Sequence, residues 1–259
     1  MKSVISLTDR PEESQDSHRF AWKIAKERLC ALMIRGAVPF DQPLSERSLA
    51  EAIGLGRMPV REALRDLARD GVVVTEAARG TFVRRLSADE IRQLYEVRLA
   101  IEGFAAHGAA EKGFIGSLPE ISRSLAKLQR NALKPREVAD AEMLGDHLHW
   151  AVMQGADNQT LADLYSGVRL RIRISLRLLQ RREFDRIRET IDEHIAIADA
   201  ILDRDAPLAL KRMRHHLRRG YDATLVNFEK IAPTNGVAQQ VTERNVGIRK
   251  SRISSSSRR

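Results

Sequence analysis

SERSLAEAIGLGRMPVREALRDLARDG, residues 45–71, reads as two short helices joined by a glycine-punctuated turn. Ser45 is a good N-cap, and Leu49, Ala50 and Ile53 follow it at helical spacing. Gly54-Leu55-Gly56 breaks the pattern, and Pro59 is tolerated only because it falls in the first turn of the second helix. Val60, Ala63, Leu64, Leu67 and Ala68 then make one apolar stripe, with Arg57, Arg61, Arg65 and Arg69 on the other faces. This is the layout of a helix-turn-helix whose second helix enters the major groove of DNA, although such units also serve as plain packing motifs.

The residues that follow favour the DNA reading. Val72–Thr75, a turn at Ala77-Ala78-Arg79-Gly80, and Thr81–Arg84 read as a β-hairpin wing. Upstream, Trp22, Ala25, Leu29, Leu32 and Met33 form a helical stripe expected to pack beneath the helix-turn-helix. Trp22 and Phe40 read as core or staple residues rather than ligand contacts. The charge distribution agrees. Of the net +9, residues 19–86 hold 13 Lys/Arg against 8 Asp/Glu, and residues 231–259 hold 6 against 1, while the middle is nearly neutral. That pattern suits a phosphate-binding head joined to a domain with another task.

Ser87-Ala88-Asp89-Glu90 is a capping box that opens a long helix, with Ile91, Leu94, Ala100, Ile101, Phe104 and Ala105 expected on its buried side. From there to Lys230 nearly every segment has helical periodicity, predicting about six helices and no sheet. The expected organisation is a disordered arm at 1–18, a winged helix at 19–86, a helical domain at 87–230 and a basic disordered tail at 231–259. The single cysteine, Cys30, and the lack of a membrane-length apolar run predict a cytoplasmic protein without a membrane partner.

Seven histidines are present. Asp146 and His149 lie about 60° apart around one helix, and His194 and His216 fall in two later helices. Imidazoles and a carboxylate on facing helices suit a divalent transition metal of the Zn, Ni or Mn class, but scattered polar residues give the same pattern. Arg169, Arg173 and Arg177 recur every four residues, which reads as a solvated stripe, with pocket lining as the other possibility.

The run LSERSLAEAIGLGRMPVREALRDLARDGVV…RGTFV resembles the GntR family of bacterial transcription regulators from about Arg19 to Arg85. The resemblance implies DNA contacts from Arg47, Arg57 and Arg61, with Met58 beside them and Gly80 at the wing tip. Where the family usually opens the recognition helix with Ser, this chain has Gly56. The segments DHLHWAVMQGADNQTL, DEHIAIADAILDRDAPLAL and MRHHLRRG resemble the FCD type of ligand-binding domain found in the FadR-like branch. That likeness implies metal ligands at His149, His194 and His216, with His147 and His215 facing elsewhere, and a carboxylate effector contacted by Arg98. An intrahelical pair with Glu102 is the other reading of Arg98. The Asp of the FCD pattern should lie four residues before His149, where this chain has Gly145; Asp146 is the nearest substitute, with water or effector as the alternative fourth ligand.

The expectation is therefore a homodimeric regulator that binds double-stranded operator DNA and senses a small carboxylate. The rivals are a metal-free sensor of acyl ligands and a metal-dependent enzyme with a DNA-tethering head. No paired carboxylates, nucleophile elbow or general base accompanies the histidines in sequence, which argues against the enzyme.

Overall fold

The computed structural model describes residues 13–130, 133–179 and 184–231. The expected basic tail beyond Ile231 and residues 1–12 of the expected arm lie outside that description. The described residues are mostly helical: three helices and a two-stranded hairpin, then six more helices.

Helix α1 (Glu13–Ile34) starts six residues earlier than Arg19, so the helix reaches into the stretch read as a disordered arm. Helices α2 (Glu46–Ile53) and α3 (Arg57–Arg69) form the helix-turn-helix. The Ser45 side chain accepts from the Ser48 N–H, and Gly54 ends α2 in the left-handed region at φ 66°, where a side chain would be strained. Gly56 caps α3 without a side-chain bond. Leu29 and Met33 of α1 meet Leu49 and Ile53 of α2 and Val60 and Leu67 of α3 in one core. Strands β1 (Val73–Glu76) and β2 (Gly80–Val83) pair antiparallel, with Val73 opposite Val83, and these two valines close that core from the wing side. Phe40 packs against it, but Trp22 does not: it lies half-buried on the surface of α1 beside Lys23.

The second core belongs to α4 (Ala88–Lys112), α5 (Leu118–Arg130), α6 (Pro135–Gly155), α7 (Gln159–Leu179), α8 (Phe184–Leu202) and α9 (Ala206–Ile231). Ser87 and Glu90 form the reciprocal capping box at the start of α4. Helices α4 and α9 run antiparallel. Tyr95 near the start of α4 bonds Thr224 near the end of α9 at 3.1 Å, and Gly103 lets Leu210 approach to a distance at which a Cβ would be 3.0 Å away. The face of α4 differs from the sequence expectation. Ile91, Leu94 and Ala105 are buried as expected, but Ala100 is exposed and Phe104 is 61% exposed, while Tyr95, Arg98 and Glu102 are buried instead.

The two cores are not independent. Ile174 of α7 is buried within the winged-helix core, and Leu170 one turn earlier packs against it. Among the described residues, no helix is long and apolar enough to cross a membrane.

Candidate metal centre and nucleic-acid interface

The apolar stripe of α3 is consumed by the core, so its opposite side is left to solvent. Arg57 is exposed and Met58 is 60% exposed, both in the first turn. Arg61 is half-exposed and is not a lone charge: its Nε and Nη2 reach both oxygens of Glu46 on α2, at 3.0 and 2.9 Å. Arg47 is exposed and pairs with Glu51 one turn on. Arg65, a turn beyond Arg61, is also exposed and extends the basic face. Gly80 lies one residue past the turn rather than at the tip, which Ala77, Ala78 and Arg79 form. A Cβ on Gly80 would stand 3.1 Å from Pro43 Cβ, so its φ of 109° and this close approach are local reasons for glycine.

In the helical domain the structure brings three of the four expected metal ligands together. His149 of α6, His194 of α8 and His216 of α9 are 7%, 5% and 7% exposed, with ring centroids 4.5–5.3 Å apart. One ring nitrogen from each lies within 4.8 Å of the others. His147 and His215 are exposed, as their flanking positions implied.

Asp146 does not join them. Arg169 binds it through Nε at 2.8 Å and Nη2 at 2.5 Å, and Arg173 Nη1 adds a contact at 3.1 Å. The displacement of one residue turns Asp146 toward α7, where two guanidiniums neutralise it. Arg169 and Arg173 are thus partly buried and engaged rather than a solvated stripe; the side chain of Arg177 lies outside the described residues. At Gly145 itself there is no room for a ligand, since a Cβ would lie 2.4 Å from His194 Cε1.

Arg98 is likewise committed. It is 6% exposed, its Nε donates to Glu102 Oε1 at 2.5 Å, and its guanidinium covers the Tyr95 ring. The intrahelical reading of Arg98 is the one the geometry shows. Glu102, fully buried, is the residue that sequence reasoning missed: its Oε2 sits 2.6 Å from His149 Nδ1, close but off the line of the ring N–H. Glu193 of α8 plays a similar part for His216, whose Nδ1 lies 2.8 Å from Glu193 Oε2. The signal for Glu193 was its place beside His194; for Glu102 the sequence offered only a Glu at i+4 from an Arg.

Electrostatics sharpen the picture. Burial by itself would raise the Glu102 carboxyl, but the Arg98 charge and His149 overcome it and hold it at about 2. Burial acts the same way on Glu193, and bonds from His216 and Arg186 bring it to about 2. Burial lowers His216 to about 4 against the pull of Glu193, and it lowers His194 well below the usual imidazole value, aided by its two neighbours. Neutral imidazoles at neutral pH are metal-ready.

The arrangement poses a problem that a cation solves. With both Nδ1 atoms turned to carboxylates, His149 Nε2 and His216 Nε2 face each other at 3.1 Å. Both His194 nitrogens are buried without a hydrogen-bond partner, a cost of about 1–3 kcal/mol per group. Two imidazole ligands on a tetrahedral ion stand about 3.3 Å apart, given a bond of about 2.0–2.1 Å. The donor set fits a borderline divalent ion held by nitrogen.

Comparison with known proteins follows the same division. Residues 23–83 match the sequence family of bacterial regulatory proteins called gntR, and residues 93–219 match the FCD domain. The chain is 27% identical over 179 residues to the HTH-type transcriptional repressor RspR of Escherichia coli, covering 68% of this chain and 76% of that one. It is 28% identical over 231 residues to the Glc operon transcriptional activator of the same organism, covering 79% and 89%. The E. coli McbR/YncC structure shares the fold at a TM-score of 0.67, with 18% identity over 80% of this chain and 98% of that one. A GntR regulator from Rhodococcus sp. RHA1 does so at 0.64, with 22% identity over 79% and 97%. These relatives are regulators of transcription, not enzymes. A gntR-type winged helix followed by an FCD domain makes this chain a GntR-type transcriptional regulator.

Proposed function

We propose that the chain is a homodimeric, FadR-like regulator that binds operator DNA through α3 and the wing and senses a small carboxylate at a metal held by His149, His194 and His216. The observation that carries the sensing half is the buried cluster of three imidazoles, in which both His194 nitrogens lack a partner and the Nε2 atoms of His149 and His216 face each other at 3.1 Å. A metal held there supplies a positive, Lewis-acidic contact for a carboxylate. The nearby guanidiniums, Arg98, Arg186 and Arg219, are already paired with Glu102, Glu193 and Glu189. Recognition of an anion therefore rests on the ion rather than on Arg98.

For the DNA half, Arg57, Met58, Arg61 and Arg65 lie on one accessible side of α3, and Arg47 approaches from α2. Arginine pairs with guanine edges, at about 1–3 kcal/mol of discrimination for a good bidentate contact. One recognition helix reads few base pairs, so a symmetric pair of heads is required for a useful site. The exposed apolar stripe of Val97, Ala100 and Phe104 on α4 supports self-association through the helical domain. Relatives include both a repressor and an activator, so the sign of control is not carried by the fold.

The test begins with selection of a binding site from random duplexes by the full-length protein. Affinity for that site is then measured with a panel of short mono- and dicarboxylates, in Zn²⁺-loaded and chelator-stripped protein. A response that needs both the ion and a carboxylate supports the reading. A response only to acyl chains, unchanged by stripping, favours the metal-free sensor.

A further inference from the structure

We infer that Glu102 and Glu193 are the positioning carboxylates of the three-histidine centre, each fixing one imidazole by its outer nitrogen so that Nε2 faces inward. The inference rests on the metal-site reading above and adds the residues that this chain uses in place of a ligating aspartate. An imidazole that binds an ion through one nitrogen needs its other nitrogen held, and a carboxylate there both sets the tautomer and raises basicity. His216 Nδ1 is hydrogen-bonded to Glu193 at 2.8 Å. Glu102 Oε2 lies 2.6 Å from His149 Nδ1 but off the line of the ring N–H, so Glu102 holds that ring by charge and close contact rather than by an aligned bond. In each case the carboxylate comes from a different helix than its histidine: α4 serves α6, and α8 serves α9. Neither is free to swing onto the ion. Arg98 holds Glu102, while Arg186 and Arg219 hold Glu193, each at 2.9 Å from Oε1.

Gly145 explains why the negative charge sits outside the ligand shell. The His194 ring occupies the volume that any side chain at 145 would need. The shell therefore consists of three nitrogens, and the two carboxylates lie behind two of them. Three imidazoles without a carboxylate select Zn²⁺, Ni²⁺ or Co²⁺ over Mn²⁺.

The experiment uses full-length protein, with Zn²⁺ affinity measured by competition against a chromophoric chelator and Co²⁺ absorption as a reporter of the ligand set. Glu193→Gln is the cleaner variant, because its site is partly open to solvent. Glu102→Gln leaves Arg98 buried without its partner, so Arg98→Met/Glu102→Gln, which removes both charges, accompanies it. The expected result is about 10–100-fold weaker Zn²⁺ binding in each variant, with the Co²⁺ band positions retained and Mn²⁺ bound far more weakly than Zn²⁺. Wild-type affinity in the variants overturns the positioning role and leaves the metal site standing. A changed Co²⁺ spectrum overturns it by making the carboxylate a ligand. Failure of the wild type itself to bind Zn²⁺ overturns the metal reading and this inference with it.

Discussion

Arg61 of the recognition helix and Glu46 of the preceding helix form a two-pronged ion pair across the helix-turn-helix, with three contacts of 2.9–3.2 Å. On the proposed reading of α3, DNA competes with Glu46 for that guanidinium. Arg61→Ala is expected to abolish sequence-specific binding while the thermal midpoint falls only slightly, because the pair is solvent-screened. Glu46→Gln should instead tighten binding to any duplex and steepen its salt dependence. Titration of both variants against the selected site at several salt concentrations checks this; unchanged specificity in Arg61→Ala removes the residue from the interface.

Gly145→Ala places a methyl 2.4 Å from His194 Cε1. The colliding atom is the end of a side chain, so the fold should survive and the imidazole should give way. Zn²⁺ affinity is expected to fall about tenfold or more, at least the loss that follows removal of a group supporting a ligand, with circular dichroism unchanged. Retained affinity would mean that His194 is not a ligand.

Asp146→Asn distinguishes a ligand from a tie to α7. The structure has this carboxylate on Arg169 and Arg173, so Zn²⁺ affinity should change less than about threefold, well short of the loss seen for metal-supporting groups. The effector response of operator binding should shrink, because α7 loses its hold on α6. A tenfold loss of metal affinity would restore Asp146 to the ligand set.

Stability should depend on pH in the metal-free protein. His216 has its pKa lowered from the ordinary 6.5 to about 4, so the unfolded chain takes up a proton before the native one. Stability contributed by the neutral ring is full above 6.5 and is lost as pH falls from 6.5 toward 4. Glu102 and Glu193, lowered from 4.5 to about 2, contribute stability above 4.5 that is lost as pH falls from 4.5 toward 2. Thermal midpoints should therefore decline continuously below pH 6.5. His216→Gln should flatten the upper part of that decline and leave the lower part.

The head was legible because its signals are local: a cap at Ser45, a left-handed glycine at 54, a proline in a first turn, and one apolar stripe per helix. The three histidines were legible through their likeness to a known domain and not through spacing, since nothing in a helical period says which faces meet. Phe104 shows that limit. Its apolar character predicted burial, but α4 turns Arg98 and Glu102 inward, a choice driven by a paired buried charge that composition does not reveal. Asp146 fails for a related reason: about 100° of helix rotation separates it from the position of a ligand.

Ile174 belongs by sequence to the helical half yet completes the core of the winged-helix half. Burying such a side chain is worth about 1.5–3 kcal/mol, and it adds to the free energy by which the two halves depend on each other when they unfold, beside Arg171 against Gly71 and the Arg84–Glu90 pair. A head cut off at residue 86 would be left with a hole on its α7 side and should melt well below the intact chain. The same quantity sets a ceiling on communication through this contact. However tightly a ligand binds the helical half, this one contact can transmit to the head no more than the energy stored where Ile174 and Leu170 meet it.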